Sequence, residues 1–148
     1  MNKAFLRLSE KQVFALTIFG EAEGEPITDK IDVGSVILER VDHRDWDGKT
    51  VAEVCLKRKQ FSCFNEDSRN YGKVLSIAEN WDAAYATNRA LRECCRIAEA
   101  LLDGSIPRTA EIAETHCCQY ATAAGAKAVS WDDEMEIVKR GKHHIFFV

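Results

Sequence analysis

Residues 9–41 read SEKQVFALTIFGEAEGEPITDKIDVGSVILERV, and this stretch decides the fold. Ser9, with Gln12 three residues on, forms a capping box in which each side chain satisfies the other's backbone amide. Val13, Phe14, Leu16, Ile18 and Phe19 follow, dense enough for a helix buried in the core. That helix must stop near Gly24-Glu25-Pro26, because proline disfavours the helical conformation at the residue before it. Thr28 or Asp29 is placed to cap a second helix, along which Val33, Val36, Ile37 and Val41 recur at helical spacing. Gly34 and Ser35 are small and let this helix pack closely on the first.

Outward from there, Asp42 to Lys49 reads as a polar loop holding Trp46, and Thr50 to Leu56 as a short helix. Gln60 to Tyr71 reads as irregular. A long helix is predicted over Ala83 to Leu102, with Ala90, Leu91, Cys94, Ile97, Ala98 and Leu101 spaced by three or four. Asp103-Gly104 closes it, and Pro107 follows. Thr115 to Tyr120 is a candidate strand. His144 to Val148, rich in aromatic and β-branched residues, is a better one. Ala121 to Ser130 is read as the loop between them. The coarse picture is an α+β chain, mostly α, with a small antiparallel sheet, forming a single domain over residues 1–148.

Hydrophobic residues make up 46% of the 148-residue chain and charged residues 30%, the balance of a globular domain with a real core. The apolar runs are short, well below the roughly 20 residues a membrane span needs, so no membrane insertion is expected. The net charge of −4 argues against nucleic acid as a partner, since phosphate binding calls for a basic surface. The first twenty residues lack the continuous apolar region of a signal peptide. The expectation is a protein made in the cytoplasm that reaches its target by a route not written in this chain. Six cysteines occur, including the neighbours Cys94-Cys95 and Cys117-Cys118, and are read as reduced, mostly buried thiols.

FGEAEGEP, residues 19–26, carries three carboxylates that a helix separates. Glu21 stacks toward Thr17 and Ile18 and projects from the apolar face, whereas Glu23 is rotated toward solvent and Glu25 lies at the break. Desolvation, the negative end of the helix dipole and the like charge of Glu25 would each raise the Glu21 pKa. A carboxyl kept protonated near neutral pH suits a general acid that protonates a glycosidic oxygen. Three glutamates before a proline also make an ordinary charged helix end, and spacing alone does not separate the two.

FGEAEGEP, followed by VGSVILERV (33–41) and KRKQFSCFN (57–65), resembles the SleB/CwlJ-type cell wall hydrolases, the spore cortex-lytic family that also includes phage endolysins. Thr115-His116, Ser130-Trp131 and Gly141 through Phe147 match its C-terminal elements in order. The resemblance implies a lysozyme-like fold related to lytic transglycosylases. It implies peptidoglycan glycan strands as substrate, cleavage of the β-1,4 bond between N-acetylmuramic acid and N-acetylglucosamine, and no metal or cofactor. It makes Glu21 the catalytic acid, acting alone if the product is a 1,6-anhydro sugar. A hydrolase needs a second carboxylate, for which Glu25 and Glu39 are available. Glu25, Gln60, Phe61, Ser62, His116 and Tyr120 would line the substrate cleft. Phe61 is equally a core residue, and His116 and Tyr120 would touch the glycan or orient Glu21. The chain departs from the family at Glu39, where asparagine is usual, at Glu23 for arginine, and at Cys117 for tyrosine. His143 and His144 compete for the C-terminal histidine position.

The setting expected is a monomer acting on the cell wall, as a phage lysis enzyme would. Two rivals stand beside this reading. One is a zinc site from Cys117, Cys118, His143 and His144, with His116, although adjacent strand residues point to opposite faces. The other is a catalytically inactive wall-binding module of the same fold.

Overall fold

A computed structural model describes the chain from Met1 to Val148, the side chain of Asp132 excepted. After a short α1 (Lys3–Leu6), the chain enters α2 (Glu10–Ala22). Both halves of the Ser9–Gln12 capping box are formed. Every residue from Val13 to Phe19 is buried, so α2 is the axis around which the other helices pack. α3 (Ile27–His43) follows the break at Gly24–Pro26. Its cap is Pro26, with no side-chain hydrogen bond, and not the expected Thr28 or Asp29. A proline can begin a helix because its missing N–H would have no partner there.

α4 (Val51–Leu56), a 3₁₀ turn at Ser62–Phe64, α5 (Tyr71–Glu79), α6 (Trp81–Thr87) and α7 (Arg89–Asp103) complete the helical body. The long helix expected over Ala83–Leu102 is two helices. Asn88 is extended, and its side chain accepts from the Leu91 amide to cap α7. The local side-chain bond outcompetes continuation of the helix. Leu91, Cys94, Ile97, Ala98 and Leu101 form the buried stripe of α7 against α2. Gly34 lets α3 close on both, since a Cβ there would lie 2.5 Å from Leu101 Cδ1 and 3.3 Å from Ile18 Cδ1.

α8 (Ala110–Thr115) ends at His116, whose φ of 53° is left-handed. The strand expected over Thr115–Tyr120 therefore begins later, as β1 (Gln119–Thr122). The segment expected to be a loop at Ala121–Ser130 carries α9 (Ala123–Ala128), capped by Thr122. α10 (Trp131–Glu134), β2 (Ile137–Arg140) and β3 (His144–Phe147) close the chain. The sheet order is β1-β3-β2, fully antiparallel, with Tyr120 opposite Phe146 and Thr122 opposite His144.

α3 is the spine joining the helical body to the sheet. Val36 packs with Ile112, Cys117 and Phe146 in a second, smaller core. Its buried polar residues reach the same way: Asp32 meets Lys139 Nζ at 2.8 Å, and Asp29 accepts from the Lys142 amide at 2.9 Å. Glycine at 141 eases that contact, because a Cβ would stand a tight 3.0 Å from the Asp29 carboxylate. Among the described residues, no helix is long and apolar enough to cross a membrane. All six cysteines are unpaired, and five of them are buried.

Candidate active site

Glu21 lies on the last turn of α2, on the face that meets the sheet. Gly20, just before it, allows the 3₁₀ turn to sit directly against the helix, since a Cβ there would be 2.7 Å from both Cβ and Sγ of Cys63. On the other side the Tyr120 hydroxyl donates to Glu21 Oε2 at 3.0 Å. The second oxygen, Oε1, is sealed from solvent and makes no well-formed hydrogen bond among the described residues, although Cys63 lies close by. Burial pushes the carboxyl pKa up, while Tyr120, Cys63 and the Arg40 charge pull it part of the way back. Desolvation is the expected cause. Glu25, whose carboxylate meets His143, is not among the largest influences on Glu21.

Tyr120 is itself held in place by the sheet. Its ring lies edge-on to His144 at 5.2 Å and beside Phe146 at 5.6 Å, both on the neighbouring strand. Burial and the Glu21 charge hold the phenol well above its ordinary pKa, so it stays a donor. His144 is buried and its pKa is lowered by desolvation. Its Nδ1 finds no partner.

Arg40 was not singled out by the sequence reading. It is 5% exposed, and its Nε donates to the Cys118 carbonyl at 2.8 Å. One terminal nitrogen reaches Gln60 Oε1 at 3.3 Å, and the guanidinium lies 5.1 Å from the Phe61 ring centre. One side chain thus ties α3 to the entry of β1 and to the Gln60–Phe61 segment. Arginine suits this role because its planar fork serves several acceptors while it stacks. The available signal was a charged residue inside the otherwise apolar VGSVILERV helix.

The other expected site residues divide. Gln60 comes to the site through Arg40. Phe61 is 3% exposed and belongs to the core, so that alternative holds. Ser62 is exposed at the start of the 3₁₀ turn. Glu25 pairs with His143 Nδ1, and its other oxygen is buried and unpartnered. His116 does not orient Glu21: its Nδ1 lies 3.0 Å from Glu39 Oε1, and its ring stacks on His43. Glu39 is 2% exposed and also pairs with Arg108.

The alternative zinc set does not assemble. The thiols of Cys117 and Cys118 face the carbonyls of Phe147 at 3.1 Å and His116 at 3.2 Å. His143 is engaged by Glu25, and His144 lies apart from the thiols, packed edge-on against Tyr120. A cavity of about 770 Å³ that includes Arg58, Lys59, Glu66, Asp67 and Tyr71 lies outside the Glu21 site.

The profile of the cell wall hydrolase family matches residues 24–147. The matched stretch takes in Glu25, Gln60, Phe61, Ser62, His116 and Tyr120, and begins three positions after Glu21. No curated protein matches the chain. Among solved structures it is similar to the catalytic domain of the SleB protein of Bacillus cereus, at 20% identity and a TM-score of 0.59, covering 94% of this chain and 89% of that one. It is similar also to the catalytic domain of the germination-specific lytic transglycosylase SleB from Bacillus anthracis. There the identity is 20% and the TM-score 0.59, with 96% of this chain and 98% of that one covered. The likeness establishes the shared fold, a lysozyme-like helical body with a small antiparallel sheet.

Proposed function

The chain belongs to the cell wall hydrolase family, and on that premise we propose that it cleaves the β-1,4 bond between N-acetylmuramic acid and N-acetylglucosamine, with Glu21 as the acid. The observation that carries this reading is the state of the Glu21 carboxyl. One oxygen accepts from Tyr120 and the other is buried without a well-formed hydrogen bond among the described residues, in surroundings that raise its pKa. A pKa raised in this way is the direction a general acid requires, since it has to carry its proton to the bridging oxygen.

The reaction proposed is lytic transglycosylation. Glu21 gives its proton to the bridging oxygen as positive charge grows at the muramic acid C1. The resulting carboxylate, steadied by Tyr120, takes the proton of the muramic C6 hydroxyl as that oxygen closes on C1. The product is a 1,6-anhydro sugar, and no water is consumed. Two other carboxylates considered for a hydrolytic role are engaged, Glu25 with His143 and Glu39 with Arg108 and His116. Both engagements favour the single-acid scheme over one that activates water. Gln60, whose amide oxygen is taken by Arg40, retains its N–H groups for a sugar acetamido or hydroxyl, and the exposed Ser62 hydroxyl lies two residues on.

Digestion of purified sacculi, with mass spectrometry of the released muropeptides, tests the reading. Wild type is expected to yield anhydromuropeptides, and Glu21→Gln to lose about 10²–10⁴-fold in rate. Glu25→Gln should still give the anhydro product. Products heavier by one water would replace transglycosylation with hydrolysis. Binding to sacculi with no release by folded wild type would make the chain a wall-binding module.

A further inference from the structure

Away from Glu21, the last turn of α3 and the left-handed cap of α8 bring together Glu39, His43 and His116. Glu39 and His43 are four residues apart on one helix and so share a face. Glu39 Oε1 lies 3.0 Å from His116 Nδ1 and 3.9 Å from His43 Nε2. The imidazole rings are 3.9 Å apart at their centres, tilted by 35°. One ligand atom from each of the three residues falls within 4.8 Å of the others. Donor atoms around a metal with bonds of about 2.1 Å are about 3.0–3.4 Å apart, so the Glu39–His116 pair already fits, and the half-exposed His43 has to turn out of its stack on His116 to bring its nitrogen in.

We infer that Glu39, His43 and His116 form a binding site for a divalent transition-metal ion, separate from the glycosidic chemistry. Two imidazoles and one carboxylate suit zinc, nickel, copper or cobalt, whereas calcium and magnesium ask for oxygen alone. Arg108 supports the arrangement. It pairs with the other oxygen of Glu39 and with Asp42 Oδ2, which fixes the buried carboxylate, leaves Oε1 facing the two histidines and offsets its own charge. His116 also holds φ of 53°, an uncommon conformation for a residue with a side chain. Bound metal would pin His116 to α3 four residues before Tyr120, and so steady the strand that presents Tyr120 to Glu21.

Titration of the chelator-treated whole chain with cobalt(II), followed by visible and near-ultraviolet absorption, tests the site. One equivalent is expected, with ligand-field bands and no thiolate charge-transfer band, together with a rise in melting temperature. His43→Ala and His116→Ala, both at partly exposed positions, should fold and bind about tenfold or more weakly. Cys118→Ser should bind like wild type. No saturable binding, a thiolate charge-transfer band, or undiminished binding by the folded His43→Ala/His116→Ala double variant would each overturn the site.

Discussion

Tyr120 and Glu21 stand 99 residues apart in the chain and 3.0 Å apart in the fold, the phenol donating to the carboxyl. The bond stabilises the charged form of Glu21, against the burial that raises its pKa. Removing the hydroxyl should therefore raise the pKa further. Tyr120→Phe is expected to shift the alkaline limb of the activity profile to higher pH, because the acid works in its protonated form. The loss of orientation should also lower the maximal rate by about 10- to 100-fold. Rates of sacculus clearing across pH, for both proteins, check this.

The raised pKa of Glu21 is also a statement about stability. A group that holds its proton more tightly in the folded chain adds stability that is complete below its unfolded pKa. That contribution is lost as pH rises through the folded pKa. Glu21→Gln removes this titration. The variant should melt higher than wild type at pH 8, and the gap should narrow as pH falls toward 4. Calorimetry over that range would contradict the assignment if the gap were constant or reversed.

Two glycines offer a contrast in packing. A Cβ at Gly20 would meet Cys63 at 2.7 Å, whereas one at Gly72, in α5, would meet nothing within 4 Å. Gly20→Ala should cost about 1–3 kcal/mol and impair activity, since it pushes the 3₁₀ turn away from Glu21. Gly72→Ala should be neutral or stabilising by about 0.5–1 kcal/mol, the gain of alanine over glycine within a helix. Urea denaturation of the two variants reads both outcomes.

Arg40 should matter to both stability and acidity. Arg40→Met removes the shorter of two charged donors to the Cys118 carbonyl, leaving Arg44 at 3.5 Å, at a cost of about 1.5–3 kcal/mol. It also removes a charge that lowers the Glu21 pKa, so the alkaline limb should again move upward. A destabilised variant with an unmoved limb would confine Arg40 to a structural role.

What the linear chain determines is what depends on near neighbours. The Ser9–Gln12 capping box, the break before Pro26 and the apolar spacing of α2 and α3 are all local, and the structure follows them. The left-handed closure at Gly104 is local too. So is the direction of Glu21, set by its angle on a helix that is buried from Val13 to Phe19. Asn88 shows the limit: its side chain caps a new helix where apolar periodicity alone continues the old one. Tertiary structure alone decided the partners. Tyr120 reaches Glu21 because β1 pairs with β3 and Arg40 anchors its entry, and none of these contacts has a signature in sequence spacing. It also turned Glu25 to His143 and His116 to Glu39, away from the roles expected of them. Buried polar groups must find partners wherever the packed chain supplies them, and that supply comes from elements distant in sequence.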